Sequence, residues 1–477
     1  MFDKKYFVSD RLYISRFKSL WADIKESIAG SERDFTTTRL GKAIFLLSIP
    51  MVLEMIMESI FAVVDIFFVS KLGADAVATV GITESVMTIV YAIGIGLSTA
   101  TTALVARRIG EKKPEKASIA AFQAILAGLI ISVLLAIPGV IFASDFLKLM
   151  GASDEMAAKG ASFPAIMFGG NAVIMLLFII NAIFRSSGDA AISMRVLWIA
   201  NLINLVLDPV LIFGLGPFPE LGIKGAAIAT TTGRSIAVIY QFYLLFKGHG
   251  RIRLYWNSIR FKAQIMFKLL RLSLGGIMQY LIATSSWIAL IRIISGFGPE
   301  VLAGYTIAIR IIIFAMLPSW GLSNAASTLV GQNLGANHPK RAEKAVWITG
   351  VINMILLGIV SIVLISIPEK FVLLFIDTPE VVASGVQALQ TISYGFVFYG
   401  MGMVVVQGFN GSGDTMTPTK INFFCFWLFE IPLAWLLAIV MNMKLTGVCL
   451  AIIIAESVLT ITGILIFRKG KWKTQKV

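Results

Sequence analysis

Charge is scarce in this chain: 14% of its 477 residues are Asp, Glu, Lys or Arg, where a soluble globular chain carries about 25%. Histidine is scarcer, with two, His249 and His338, both in loops between apolar runs. Cysteine is limited to Cys425 and Cys449, which excludes a disulfide framework. Both read as small apolar side chains and say nothing of compartment. The sequence contains no G-x-x-x-x-G-K-[ST] phosphate loop and no H-E-x-x-H pair, so neither an ATP motor nor that kind of zinc site is encoded. No catalytic constellation emerges. The chain reads as a protein that is not an enzyme and needs no cofactor.

What is abundant is apolar sequence. Hydrophobic residues make up 57% of the chain, with a mean hydropathy of +0.85, more than one protein interior can use. Twelve apolar runs occur, at 44–69, 79–106, 117–143, 161–184, 192–214, 225–246, 268–295, 303–331, 342–367, 385–410, 417–441 and 446–467. Each is long enough for a hydrocarbon core of about 30 Å, which takes roughly 20 helical residues. In lipid every backbone polar group needs an internal partner, so each run is expected to be a helix. The fold class that follows is an all-α polytopic membrane protein of twelve transmembrane helices.

Basic residues fall in alternate loops. With both termini inside, the cytoplasmic segments carry 32 Lys and Arg and the opposite loops 6, the asymmetry that sets orientation. The formal charge of +14 therefore belongs to membrane topology, not to nucleic acid. The first apolar run follows a leader with nine basic residues, Met1 to Lys42, and no cleavable signal is apparent. The leader around Leu12 to Ile28 and the loop from Lys247 to Lys268 are amphipathic and basic. Both are expected to be helices lying on the inner membrane surface, held by anionic lipid.

An internal repeat organises the chain. Shifted by 225 residues, Leu47-Ser48 falls on Leu272-Ser273, Gly73 on Gly298, and Gly96-Leu97-Ser98 on Gly321-Leu322-Ser323. Gly110, Pro114, Gly188-Asp189 and Gly222 fall on Gly335, Pro339, Gly413-Asp414 and Gly447. One gapless offset from first helix to last divides the chain into two pseudo-symmetric six-helix bundles. The expected boundaries are a leader at 1–42, bundles at 43–246 and 268–467, a linker at 247–267 and a basic tail at 468–477. Six helices per half make the repeats parallel, with a cavity between them, as in alternating-access transporters.

These residues resemble the MATE (multidrug and toxic compound extrusion) family, within the wider MOP flippase superfamily. The motifs are Ser48-Ile49-Pro50, Val64-Asp65-Ile66-Phe67-Phe68-Val69 with Leu72-Gly73, and Ala106-Arg107-Arg108-Ile109-Gly110. Arg185-Ser186-Ser187-Gly188-Asp189, Asn204-Leu205-Val206-Leu207-Asp208-Pro209 and Gly222-Ile223-Lys224-Gly225-Ala226-Ala227 complete the set. The likeness covers about residues 40–467. It is closer to the DinF-type than to the NorM-type branch, since the seventh helix, Leu269 to Ile294, has no acid.

The resemblance implies a cation site in the N-terminal bundle at Asp65, Asn204, Asp208 and Thr230, able to take H⁺ or Na⁺. The residues agree with that reading independently. An ionisable group inside a span is expensive and functional by default. The repeat supplies a control, because Leu290 and Leu433 stand where Asp65 and Asp208 stand, and Gln279 where Glu54 stands. Packing alone does not demand these acids. Glu54, Glu58 and Asp65 lie within about 40° on one helix face, and Glu54, Glu58 and Glu84 are candidates for an additional acidic lining, with Arg310 or Arg234 as structural partners. Pro50 is a candidate kink one turn before Glu54. Glu430 and Glu456 keep a smaller C-terminal site open.

The function implied is a secondary antiporter of the cell membrane that exports amphipathic, cationic organic compounds in exchange for H⁺ or Na⁺. Its partners are small organic substrates and membrane lipid, not nucleic acid, and a monomer is expected. The rival is a lipid or lipid-linked oligosaccharide flippase of the same superfamily, which would call for a strongly basic cavity. The intramembrane arginines are Arg234, Arg292 and Arg310. The charge asymmetry predicts that cysteines introduced between Lys247 and Lys268 react with an impermeant reagent from the cytoplasmic side alone. Labelling of intact cells from outside would refute the orientation.

Overall fold

The computed structural model describes residues 21–248 and 250–477. Twelve long helical segments run through it: α1 (Leu40–Ser70), α2 (Ala74–Gly110), α3 (Pro114–Ile141), α4 (Ser162–Gly169 with Asn171–Ser187), α5 (Ala190–Phe213) and α6 (Ile223–Lys247) form the first half. The second half repeats them as α7 (Ala263–Ile294), α8 (Pro299–Gly335), α9 (Pro339–Ser366), α10 (Pro379–Ser393 with Phe396–Ser412), α11 (Met416–Val440) and α12 (Lys444–Arg468). By length and apolarity, eight qualify singly as spans, and α4 and α10 qualify as bent pairs with breaks of 41° and 56°. Both breaks fall at a glycine, Gly170 and Gly395, 225 residues apart. The two segments outside these criteria are α1 and α6. They carry Glu54, Glu58 and Asp65, and Thr230-Thr231-Thr232 with Arg234.

Local signals delimit the helices as the repeat requires. Pro114, Pro299 and Pro339 occupy first-turn positions, where the missing N–H costs nothing. Gly188 and Gly413 close α4 and α10 in the left-handed conformation, at φ 102° and 90°, which glycine adopts without steric penalty. A Cβ at Gly188 would meet Arg251 and Phe35, and one at Gly413 would meet Val477. Glycine is thus required twice over at both positions.

The bundles meet chiefly through α2 against α7 and α8, and α1 against α8. The contact is backbone on backbone. A Cβ at Gly110 would strike the Gln332 carbonyl, and one at Gly335 would strike the Arg107 carbonyl. Gly96 approaches Ser273 and Ile277, while Gly321 approaches Met51 and Val52. With the 225-residue offset, these are two pairs of equivalent contacts about one pseudo-twofold axis. Polar contacts reinforce them: Gln332 Nε2 donates to the Ser186 carbonyl at 2.8 Å, and Arg107 donates to the Ser412 and Gln475 carbonyls at 3.3 and 2.8 Å. Arg341 reaches the Phe35 and Thr38 carbonyls. The contacts of Gly110, Gly335, Gln332, Arg107 and Arg341 lie at the end of the molecule that bears the basic loops, and those of Gly96 and Gly321 lie further inside the helices. Toward the other end, Glu84 of α2 is exposed and lies within the electrostatic reach of Arg310 of α8, so both face a gap between the bundles. The molecule is closed at the basic end.

The linker corrects one expectation. Residues 250–262 hold no amphipathic helix, only a short 3₁₀ turn at Trp256–Ser258. The reason is tethering: Ile252 and Leu254 are buried in the N-terminal core, and side chains of α3 satisfy the backbone. The Tyr255 N–H donates to Ser118 Oγ at 3.3 Å, the Lys262 N–H donates to Gln123 Oε1 at 3.2 Å, and Gln123 Nε2 donates to the Arg260 carbonyl at 2.7 Å. Satisfied this way, the segment has no need of helical hydrogen bonds. Of the leader helix, 21–29 is helical, and the remainder lies outside the described residues. Its Glu26 is held down to about 2 by the hydrogen bond from Arg33, with Ser31 and Lys42 adding to it.

Val in place of Gly335 is expected to wedge α2 from α8. A cysteine at Ala106, which is buried against Gly331, should then react several-fold faster from the basic-loop side. Equal rates with and without the wedge would show that this approach does not hold the face shut.

Candidate cation site

Helices α1 and α5 run side by side in the same direction, and polar groups bridge them at three levels. Near the basic end, Trp198 Nε1 donates to the Leu53 carbonyl at 3.2 Å. Further along, Asn201 Nδ2 donates to Glu58 Oε2 at 3.2 Å. Seven residues on in each helix, Asp208 faces Asp65 within hydrogen-bonding reach. Seven residues are close to two turns, so the spacing returns each pair to the same seam.

The third wall is α6. Gly225 packs on the Leu211 carbonyl, and Gly233 on Ala200 and Asn204, drawing α6 close enough for Thr230 to reach α5. Asn204 then sits between two partners. Its Nδ2 donates to Asp208 Oδ2 at 2.7 Å, and its Oδ1 accepts from the Thr230 N–H at 2.9 Å and from Thr230 Oγ1 at 3.0 Å. The structure therefore brings together all four residues: Asp65, Asn204, Asp208 and Thr230. Asn204 and Asp208 are buried, and Asp208 Oδ1 has no donor. Carboxyl groups facing each other without a bound cation need a proton between them; otherwise two negative charges repel in a poorly solvated site. Two carboxyl groups, an amide oxygen and a hydroxyl suit a proton or a hard cation such as Na⁺. Arg234 of α6 lies within electrostatic reach of Asp65 and Glu58 and is hydrogen-bonded to Tyr91. Sequence reasoning offered it only as a structural partner.

The remaining acids separate. Glu58 joins the α1–α5 seam through Asn201, and Glu84 faces the gap near Arg310 and Arg234. Glu54 does not pair with either of those arginines. It is buried and forms an ion pair with Arg185, at the end of α4, at 2.8 Å. Helix α1 runs unbroken through Pro50, whose missing N–H leaves the Leu46 carbonyl unbonded within the helix. The hydroxyl of Ser27, from the leader, donates to that carbonyl at 2.8 Å. No sequence signal marks the Glu54–Arg185 or Ser27–Leu46 pairings, because both cross between segments far apart in the chain. In the C-terminal bundle, Ser286 donates to Glu430 at 2.6 Å and Tyr399 is hydrogen-bonded to Glu456.

A family profile described as MatE matches residues 50–210 and again 276–436. The chain belongs to the MatE family. Its relatives include the probable multidrug resistance protein YoeA of Bacillus subtilis, 25% identical over 91% of this chain and 95% of that one. Another is the FAD transporter of Shewanella oneidensis, 26% identical over 83% and 87%. Among solved structures, the outward-facing conformation of a multidrug resistance MATE family transporter superposes with a TM-score of 0.86 at 25% identity, covering 91% of this chain and 96% of that one. The protein is therefore a membrane transporter of the MATE type and not an enzyme.

In a MATE transporter, Glu54 could serve either transport or folding, and its buried pairing favours folding. Glu54→Gln leaves Arg185 without its carboxylate, which for a buried pair costs about 3 kcal/mol. Thermal unfolding in detergent should show the loss, and Glu54→Gln with Arg185→Gln should recover part of it. A single variant that unfolds normally but fails in transport would instead assign Glu54 to the acidic lining.

Proposed function

We propose that the protein is an antiporter that exports amphipathic, cationic organic compounds while H⁺ or Na⁺ enters through Asp65, Asp208, Asn204 and Thr230. The observation that carries this is the Asp65–Asp208 contact across α1 and α5, for which the second half has only Leu290 and Leu433. The coupling ion neutralises the pair and lets α1 and α5 stay packed. Its loss leaves two facing carboxylates that the helices must separate or solvate. Because α1 also packs on α8 of the other bundle, movement of α1 reaches the closed face. Membrane potential contributes about 2.3 kcal/mol per charge per 100 mV to an entering cation.

In this reading the bundles 43–246 and 268–467 rock about the linker 247–267, in a cell membrane with both termini cytoplasmic. One chain suffices, because each half supplies one wall of the gap. Glu58 and Glu84 favour a cationic substrate. A second reading is supported by Arg234 and Arg310 beside the same gap and by the relative named as an FAD transporter. It is export of an anionic dinucleotide. Efflux of a cationic dye and of FAD from the same energised vesicles separates the two. A flippase of lipid-linked sugar finds less support, since these arginines do not form a strongly basic cavity.

Asp65→Asn, Asp208→Asn and the double variant are each expected to insert normally and lose gradient-driven efflux to a similar degree, because residues acting as one unit are not additive. Near-normal transport by either single variant, with an unchanged ion dependence, would falsify the mechanism.

A further inference from the structure

Between Glu220 and Glu300 the chain has no acidic residue. Within that stretch, seven basic residues run from Lys247 to Arg271. Among the described residues, Lys247, Arg253, Arg260, Lys262, Lys268 and Arg271 take part in no ion pair; Arg251 alone meets an acid, Asp189, at 3.7 Å. The same stretch is rich in exposed aromatics. Trp256 is 82% exposed, Phe261 64% and Phe267 70%. An exposed tryptophan and two phenylalanines are unfavourable in water and ordinary at the membrane interface.

Where α6 ends, these features converge on a cleft of about 310 Å³ lined by Phe246, Arg253, Leu254, Tyr255 and Trp256. The Trp256 ring stacks on Phe246 at 5.8 Å, and the Arg253 guanidinium lies over Tyr255 at 5.9 Å. Arg253 is exposed and uses Nε to donate to the Phe246 carbonyl at 3.2 Å, which fixes the plane of the guanidinium. The cleft is preformed. Its floor is held by the Leu254 N–H donating to the Leu245 carbonyl at 3.0 Å and by the ties to Ser118 and Gln123 described above.

We propose that this cleft is a site for one anionic phospholipid in the leaflet on the basic-loop side. Arg253 binds the phosphodiester, and Phe246 and Trp256 hold the glycerol and first acyl carbons. A planar guanidinium matches phosphate oxygens in a two-pronged geometry, and the uncompensated basic residues around it add long-range attraction to anionic lipid. The site lies outside the transport path, on the linker that joins the two bundles.

The test uses the purified full chain in detergent, titrated with phosphatidylglycerol and, separately, phosphatidylcholine of equal chain length, with retained lipid read by native mass spectrometry. The native protein is expected to keep one phosphatidylglycerol in preference to phosphatidylcholine. Arg253→Gln should weaken that binding about tenfold, as loss of a charge-assisted contact does, while Arg253→Lys keeps most of it. Trp256→Ala, at an exposed ring, should weaken it without affecting the fold. Equal retention of both lipids, or phosphatidylglycerol binding unchanged in both Arg253→Gln and Trp256→Ala, overturns the proposal. Displacement of the lipid by inorganic phosphate at equal concentration also overturns it, in favour of a simple anion site.

Discussion

Backbone contact between α2 and α8 is the constraint on which the arrangement of the two bundles rests. Glycine at 110 and 335 lets each helix bring its main chain against the other's Gln332 and Arg107. Lipid tails offer no hydrophobic force to press helices together, so close packing of small residues and the hydrogen bonds it permits must hold them. The same approach places Gln332 on Ser186 and Arg107 on Ser412 and Gln475. Each bundle thereby satisfies carbonyls at the other's helix ends. The contact is related to itself by the repeat, so each bundle meets the other through equivalent glycines.

Against that symmetry, the two halves place their intramembrane acids differently. The α1–α5 seam carries Glu58 with Asn201 and Asp65 with Asp208, where the second half carries leucine opposite both aspartates. A scaffold that folds once with leucine at those positions does not need aspartate for packing. The cost of burying carboxyl groups is then set against a use, which is the cation binding proposed for Asp65, Asp208, Asn204 and Thr230. Glu430, buried beside Ser286, and Glu456, hydrogen-bonded to Tyr399, lie in the other bundle within electrostatic reach of each other.

Much of this was legible in the residues. The twelve apolar runs became twelve helical segments, because length and hydropathy leave lipid-facing chain no other way to satisfy its backbone. The offset of 225 located the glycines that close α4 and α10, and the i, i+4 spacing of Asn204 and Asp208 put them on one face of α5. Partners distant in sequence left no such trace. Glu54 was offered Arg234 or Arg310 and took Arg185. The linker looked amphipathic and helical, yet Ser118 and Gln123 of α3 gave its backbone partners that outweighed the helix.

The sequence by itself determined the membrane class, the repeat, the helical segments and the intramembrane acids Asp65 and Asp208, because hydrophobic length, periodic spacing and intramembrane charge are one-dimensional properties. Only the tertiary structure decided which carboxyl meets which partner, that Ser27 covers the carbonyl freed by Pro50, and that the bundles close at the basic end. Those outcomes depend on how near two backbones can come. That distance is set by glycines on separate helices meeting in space, and no spacing along the chain encodes it.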